Sequence, residues 1–167
     1  MFSKEEAKQL RIEFWTAFGV YMRQHLPIAD YNKKWVNYNT GVKGIYFRLD
    51  AEAKFVQASI TIEVADKGIR ELFYAQWEEL KNYLESESNA QWTWVSEEFL
   101  HDGRVISRIF RRQDGVSLYN RANWGTMFQF LEESIVPLDS VWADCGDVFK
   151  DLAEYYPLRT AALPILP

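Results

Sequence analysis

The chain of 167 residues is long enough for one domain with a sizeable core, and too short for two domains to be the default expectation. Hydrophobic residues make up 48% of it and seven residues are tryptophan, which excludes the composition of a disordered protein. The net charge of -5 argues against a surface built throughout for nucleic acid, although a local basic patch is compatible with that charge.

Cysteine content and the amino-terminal sequence predict the compartment. The single cysteine, Cys145, permits no internal disulfide, a pattern typical of the reducing cytoplasm. The first residues, MFSKEEAKQL, contain no apolar run of signal-peptide type, and no run of ~18 apolar residues could span a bilayer. We therefore expect a cytoplasmic protein that does not enter a membrane.

The first predicted element is a helix from Ser3 to about His25. Ser3 and Glu6 have the spacing of a capping box, in which each residue satisfies a free backbone donor at the helix start. The apolar residues that follow at helical spacing are Ala7, Leu10, Phe14, Phe18, Tyr21 and Met22. Pro27 ends the helix, because proline disfavours helical backbone in the residue before it.

From Gly44 the hydrophobic period changes from helical to two, which predicts a strand. Ile45, Phe47 and Leu49 fall on one face of this strand. After a turn at residues 50–53, a second strand repeats the same alternation as far as residue 64. The two strands form the first predicted hairpin.

The second half of the chain predicts a helix, another hairpin and a last helix. Asp66 can cap the helix, and the polar run at 86–89 ends it. The hairpin strands are QWTWVSEEFL and GRVISRIFRR, joined at residues 101–103 by a turn with a glycine after an aspartate. The last helix begins near Asn120 and is expected to break or kink at Pro137, where a backbone donor is missing.

These elements predict an α+β fold in the order helix, hairpin, helix, hairpin, helix. The natural assembly is a four-stranded sheet with helices packed on one face. We expect residues 1–157 to form this single domain and residues 158–167 to form an irregular tail.

Few residues suggest chemistry. His25 and His101 are the only histidines, and with one cysteine they cannot complete a four-ligand zinc site; no phosphate-binding glycine motif and no GxSxG occurs. We therefore predict no catalytic residue, no metal and no cofactor. The least favoured hypothesis is a Mg²⁺-dependent nuclease in which Asp50 and Glu63 meet, because Ala65 stands where such enzymes usually carry a lysine.

The fourth strand carries an unusual face. Arg104, Arg108 and Arg112 alternate there with Ile106 and Phe110. If the opposite face meets the helices, this face is open. The first hairpin would add four side chains to it: Tyr46, Arg48, Phe55 and Glu63.

Three interpretations of this face remain. The first is structural: Arg48, Glu63, Glu98 and the strand-four arginines form cross-strand ion pairs that cover the apolar groups. The second is a protein interface, including a homodimer, since aromatic residues and arginine are enriched at such contacts. The third, a stacking platform for single-stranded nucleic acid, ranks last because Glu63 and the acidic balance oppose it.

A long connection precedes the first strand. It spans residues 27–42, a length at which loops are usually functional or well packed, and Trp35 and Tyr38 are the expected anchors. Three lysines lie in or beside it: Lys33, Lys34 and Lys43. We expect them to stay in water; the alternative is that they extend the arginine surface into a patch for an anionic partner.

Several aromatic motifs of this chain occur together in one known family. They are Phe14-Trp15, Trp35, the run YNTGVKGIYFRL from Tyr38 to Leu49, Ile62-Glu63, Arg70 with Phe73, and Trp94. Over about residues 8–155 the chain resembles the bacterial family known as domain of unknown function 4268. The resemblance implies an α+β domain. Some members follow a nuclease-like segment in longer proteins, which implies a restriction-associated accessory role but identifies no catalytic residue.

Taken together, the sequence predicts a non-enzymatic binding module that acts through the open sheet face. The expected partner is another protein or a second copy. The alternative is a nucleic-acid-binding accessory of a restriction or defence nuclease system. The candidate binding residues are Lys33, Lys34, Lys43, Arg48, Arg104, Arg108, Phe110 and Arg112.

Overall fold

The computed structural model describes residues 2–30 and 32–156. Its helices are α1 (Lys4–His25), α2 (Lys67–Glu79), α3 (Lys81–Ser88) and α4 (Trp124–Tyr155), with short 3-10 helices at Ile28–Asp30 and Arg121–Asn123. Its strands are β1 (Ile45–Ala51), β2 (Phe55–Ile62), β3 (Thr93–Phe99) and β4 (Val105–Asp114). The predicted order of helices and hairpins is confirmed. The expected irregular tail, 158–167, lies outside the described residues.

The four strands form one antiparallel sheet in the order β1-β2-β4-β3. β2 and β4 are therefore central, and β1 and β3 are the edges. Phe47 lies opposite Ile60, which in turn lies opposite Ile109, so one face is a continuous apolar layer. All three side chains are buried against the helices. This confirms the predicted α+β sheet with helices on one face.

Helix α1 forms as its sequence predicts. The Ser3 hydroxyl accepts a hydrogen bond from the Glu6 backbone N–H (3.1 Å) at its amino end. Its buried stripe consists of Leu10, Phe14, Phe18 and Met22. The Phe14 ring lies 5.0 Å from that of Phe128, so the stripe packs α1 against α4.

The predicted second helix is divided in two, and the prediction of a single helix was wrong in this respect. Asp66 caps α2 as expected, by accepting from the Ile69 N–H at 3.0 Å. At Leu80 the backbone N–H bonds to the Trp77 carbonyl, only three residues back, which tightens the turn and ends α2. Helix α3 then starts at the next residue.

The sequence predicted a break or a kink at Pro137. The break is absent, because α4 continues through Pro137 as one helix of 32 residues. Proline has no N–H for the carbonyl of Glu133, four residues earlier. The Arg111 guanidinium of β4 reaches that carbonyl, with Nη1 at 3.5 Å, so a tertiary contact replaces part of the missing bond. Neither α4 nor any other described helix is long and apolar enough to cross a membrane.

Tryptophans connect the layers. The rings of Trp77 in α2 and Trp142 in α4 stack at 5.8 Å, and the Trp142 Nε1–H donates to the Thr40 carbonyl at 2.9 Å. Trp92 and Trp94 lie on the helix side of the sheet: the first donates to the Ser88 hydroxyl and the second contacts Tyr74. They belong to the core and not to the opposite face.

We predict that Gly146→Ala lowers the free energy of unfolding. A Cβ at residue 146 would lie 2.9 Å from the Trp142 ring, whose stack on Trp77 leaves it little room to move, so the strain should cost ~1–3 kcal/mol. Gly19→Ala is the control, because its Cβ meets nothing within 4 Å and should add ~0.5–1 kcal/mol in a helix. Urea denaturation measures both changes, and equal stability of the two variants would contradict the prediction.

Candidate binding surface

The face of the sheet turned away from the helices forms a grid of side chains set by strand register. We call it the open sheet face. Its three rows across β1, β2 and β4 are Tyr46, Thr61 and Arg108; Arg48, Ser59 and Phe110; and Asp50, Gln57 and Arg112. The middle strand contributes Thr61, Ser59 and Gln57 to these rows, and two of these side chains are small.

Glu63 stands at the centre of the charge network beside this grid. It is only 8% exposed, and its Oε2 accepts from Arg48 at 2.6 and 3.1 Å and from the Thr61 hydroxyl at 2.7 Å. Arg104 Nη1 lies 3.6 Å from its Oε1, and Arg104 Nε also binds Asp102 at 2.7 Å. The predicted cross-strand ion pairs are confirmed here.

The other two arginines of the face also have acceptors. Arg108 makes a bidentate pair with Glu98, with Nε at 3.0 and 3.1 Å from its two oxygens and Nη2 at 2.8 Å. Arg112 Nε donates to the Gln57 side-chain oxygen at 2.9 Å. Each guanidinium on the open sheet face is thus held in one orientation by a neighbour on the same face.

The aromatic rings of this surface are covered by the same arginines. Arg48 lies over the Tyr46 ring at 4.6 Å, and Arg112 lies 4.0 Å from the centre of the Phe55 ring and 5.7 Å from that of Phe110. These guanidinium groups occupy positions over the ring faces on which a nucleic-acid base would stack. Stacking on Tyr46 or Phe55 therefore requires the arginine to be displaced first.

The side-chain carboxylate of Asp50, in the third row, accepts no hydrogen bond from the residues that the structure describes. Burial raises its pKa above the ordinary value of 3.8, and the neighbouring Glu52 raises the pKa further. The positive charges of Arg108, Arg48 and Arg11 act in the opposite direction without reversing the shift. From its sequence Asp50 was predicted only as a possible metal ligand, although its parity places it on the same strand face as Tyr46 and Arg48.

The nuclease hypothesis fails on geometry. Asp50 lies opposite Gln57, whereas the Glu63 N–H bonds to the Gly44 carbonyl at the other end of the hairpin. The two acids are therefore six strand positions apart, on the order of 20 Å, and the expectation that they could meet was wrong. Within residues 2–30 and 32–156, no group of three His, Cys, Asp or Glu side chains could hold a metal ion.

The long connection before β1 is anchored as predicted. Trp35 is buried in the core, and Tyr38 packs against it. The Tyr38 hydroxyl donates to Asp139 of α4, which also binds Lys33 Nζ at 2.7 Å. Asp30 binds the same ammonium group at 3.1 Å. The positive charge of Lys33 is thus balanced by two carboxylates, one of them on α4.

The lysines and the arginines do not form one continuous surface through Lys33 and Lys34. Lys33 is held by α4, and Lys34 is exposed at the rim of a cavity of about 230 Å³ beside α1, lined also by Trp15, Phe18, Met22 and Trp35. Lys43 is exposed just before β1. The structure brings together the four arginines and Phe110, and it places Lys33 and Lys34 elsewhere.

Comparison with known proteins identifies the family of the chain. A family model described as domain of unknown function (DUF4268) matches residues 10–145, from α1 into α4, and includes the whole sheet. The resemblance drawn from the aromatic motifs is thereby confirmed. No curated protein and no solved structure matches the chain.

We predict that Glu63→Gln lowers the free energy of unfolding by about 1–3 kcal/mol, because the arginines around a buried carboxylate lose their counter-charge. Glu98→Gln is the matched control. The Glu98 side chain is 32% exposed, so water screens its pair with Arg108, and the loss should be at most about 1 kcal/mol. Chemical denaturation of both variants measures the two losses in the free energy of unfolding. A larger loss for Glu98→Gln than for Glu63→Gln would contradict the prediction.

We predict that Asp50→Asn raises the melting temperature at pH 7. Because folding raises the pKa of Asp50, folding favours its protonated form, and stability declines as the pH rises through the raised value. Asparagine removes the cost of burying a charged carboxylate at pH 7. The gain in melting temperature should vanish well below pH 3.8, where aspartate is protonated in both the folded and the unfolded state. Melting curves across pH measure the effect. Asp147→Asn, whose side chain is 92% exposed, should give no gain.

Proposed function

The chain belongs to the DUF4268 family, whose description assigns no activity, and we propose from the geometry of the open sheet face that it is a protein-binding module. The partner is a second copy of the chain, bound face to face. This proposal makes the protein a self-associating module and involves no catalysis.

The balance of charge on the open sheet face carries the proposal. Four arginines, Arg48, Arg104, Arg108 and Arg112, lie on or beside this face together with five carboxylates, Asp50, Glu63, Glu98, Asp102 and Asp114. The chain as a whole has a net charge of -5, so two copies repel each other over most of their surface. With four positive and five negative groups, this region carries a net charge of only -1, so two copies can approach there at little electrostatic cost.

A two-fold interface also needs a patch that is complementary to itself, because the same residues lie on both sides. A patch of one sign cannot meet this condition, whereas a patch that carries both signs can. The arginines of the rows lie beside Glu63, Glu98 and Asp50, so the open sheet face has both signs within a short distance. This arrangement supports a second copy over a strongly acidic or strongly basic partner.

The side-chain types support the same proposal. Tyr46, Phe55 and Phe110 are half-buried, so each retains some surface for a partner. Aromatic residues and arginine are the types that contribute most at protein interfaces. Because ion pairs already hold the arginines in place, less side-chain entropy is lost when a partner binds.

Nucleic acid is the less favoured partner. Phosphate groups would have to compete with Glu63, Glu98 and Gln57 for guanidinium groups that these acceptors already bind. Bases would have to displace Arg48 and Arg112 from the rings that they cover. Both requirements lower the affinity of the open sheet face for nucleic acid.

We predict that Thr93→Arg converts a dimer to a monomer. Thr93 is exposed and lies opposite Phe110 on the open sheet face, so arginine adds bulk and an unbalanced charge without removing an ion pair. Light scattering across a concentration series should give twice 19.7 kDa for the wild type and 19.7 kDa for the variant. Thr16→Arg, at an exposed position of α1, is the control and should remain dimeric.

Two outcomes would contradict the proposal. A wild type that stays monomeric at all concentrations would exclude self-association. A dimer that survives Thr93→Arg would place the contact on another surface. In the monomeric case, titration with single-stranded oligonucleotides at two salt concentrations decides the alternative, because phosphate binding weakens steeply with salt.

A further inference from the structure

The free edge of β1 can be assigned from the backbone bonds at the two ends of its hairpin. The Glu63 N–H donates to the Gly44 carbonyl at 2.6 Å, and the Glu52 N–H donates to the Phe55 carbonyl at 2.9 Å. Residues 44 and 52 of the first strand therefore belong to hydrogen-bonded pairs. In an antiparallel ladder such pairs recur at every second residue.

It follows which residues of β1 face outward. Tyr46, Arg48 and Asp50 direct their N–H and C=O groups toward β2, where they pair with residues 61, 59 and 57. Phe47 and Leu49 direct theirs away from the sheet. The outward groups of these two residues have no partner among the residues that the structure describes.

The outward backbone groups at both ends of this edge have hydrogen-bond partners, whereas those in its middle do not. At the start, the Ile45 N–H donates to the Val42 carbonyl at 3.2 Å, and the Ile45 carbonyl accepts from the Thr40 hydroxyl at 2.8 Å. At the end, the Ala51 carbonyl accepts from Arg11 Nη1 at 2.9 Å. The unpaired part is thus the segment from Phe47 to Leu49, with two donors and two acceptors. Phe47 is only 3% exposed, so a ligand can reach its backbone groups only through the space beside the strand.

A groove of about 590 Å³ runs along this unpaired segment. Residues 36–39 form one wall and residues 46–50 form the other. The first wall is fixed, because the Tyr38 hydroxyl bonds to Asp139 and the Tyr38 ring lies 5.0 Å from that of Phe47. The unpaired backbone groups therefore border a cleft with a rigid opposite side.

The other edge of the sheet is built differently. Along β3 the register with β4 shifts between Val95 and Glu98, which marks a bulge, and the exposed Glu97 lies within it. Bulges and charges are devices that prevent a further strand from pairing with an edge. β1 pairs with β2 residue by residue without a shift, so its edge has the regular spacing that strand addition requires.

We propose that the groove beside β1 binds an extended peptide segment of a partner protein as a fifth strand, with a lysine or arginine side chain next to Asp50. The segment would bond to the outward N–H and C=O groups of Phe47 and Leu49. Such strand addition draws its affinity from the main chain and its specificity from alternate side chains.

Charge complementarity is the reason for placing a basic side chain of the peptide next to Asp50. On the side of the open sheet face, the bound strand passes Arg48 and Asp50. Arg48 is already bound by Glu63, whereas the half-buried Asp50 carboxylate accepts no hydrogen bond from the described residues. On the other side, the strand passes Val36 and Tyr38, which favours apolar side chains at the alternate positions.

A labelled peptide tests the proposal. The probe is the fluorescein-labelled heptapeptide TVKVKVT, titrated into the full chain by fluorescence anisotropy, with TVEVEVT as its matched control. To separate this test from that of self-association, the titration is done on both the wild type and the Thr93→Arg variant. Thr93 lies on β3, at the opposite edge of the sheet, so the variant keeps the groove. Asp50 lies on the face that the proposed dimer covers, so the monomeric variant should bind the probe at least as tightly as the wild type.

We expect the lysine peptide to bind at least about tenfold more tightly than the glutamate peptide, which corresponds to about 1.4 kcal/mol. Asp50→Asn should remove most of this difference, whereas Asp147→Asn, on the exposed face of α4, should leave it unchanged. Two versions of the probe, N-methylated at alternating positions, test the geometry. One version should lose binding and the other should keep it, because an added strand bonds to β1 through every second residue.

Amide hydrogen exchange gives an independent readout of the edge. In the free protein the amides of Phe47 and Leu49 should exchange faster than that of Arg48, and saturating peptide should slow these two amides. Equal binding of the lysine and glutamate peptides, equal binding of both N-methylated probes, or unchanged exchange at Phe47 and Leu49 would each overturn the proposal.

Discussion

The arrangement of this protein depends on the indole of Trp142. Its ring stacks on Trp77 and so joins α4 to α2, while its N–H holds the carbonyl of Thr40. The Thr40 hydroxyl in turn binds the Ile45 carbonyl at the first residue of β1. One side chain thereby fixes the connection before β1, the start of that strand and the distance between the helices and the sheet.

The open sheet face shows how a surface rich in arginine can carry little net charge. Glu63 lies between arginines of two different strands, and its burial makes that position hard to replace with a neutral side chain. Arg48 and Arg104 therefore stabilise the fold itself, whether or not a partner binds this face. Any partner of this face would meet planar guanidinium groups in fixed positions, and the pattern of these groups would set the electrostatic contribution to binding.

The sequence was sufficient for those features that periodicity controls. Alternation in β1 and β4 predicted both the buried face and the ion pairs of the opposite face, because side-chain direction in a strand depends only on parity. The sequence was insufficient for features that depend on contacts between residues far apart in the chain. The continuation of α4 past Pro137 involves Arg111 of another strand, and the separation of Asp50 from Glu63 depends on the hairpin register, which no local pattern reveals.

The wall formed by residues 36–39 has a consequence for how the protein behaves in a crowded solution. Open strand edges are templates for aggregation, since any other exposed edge can pair with them. This wall stands beside the unpaired segment of β1, so the edge of another folded sheet would have to displace residues 36–39 to pair with it. The loop that precedes the strand thus limits direct pairing between sheet edges.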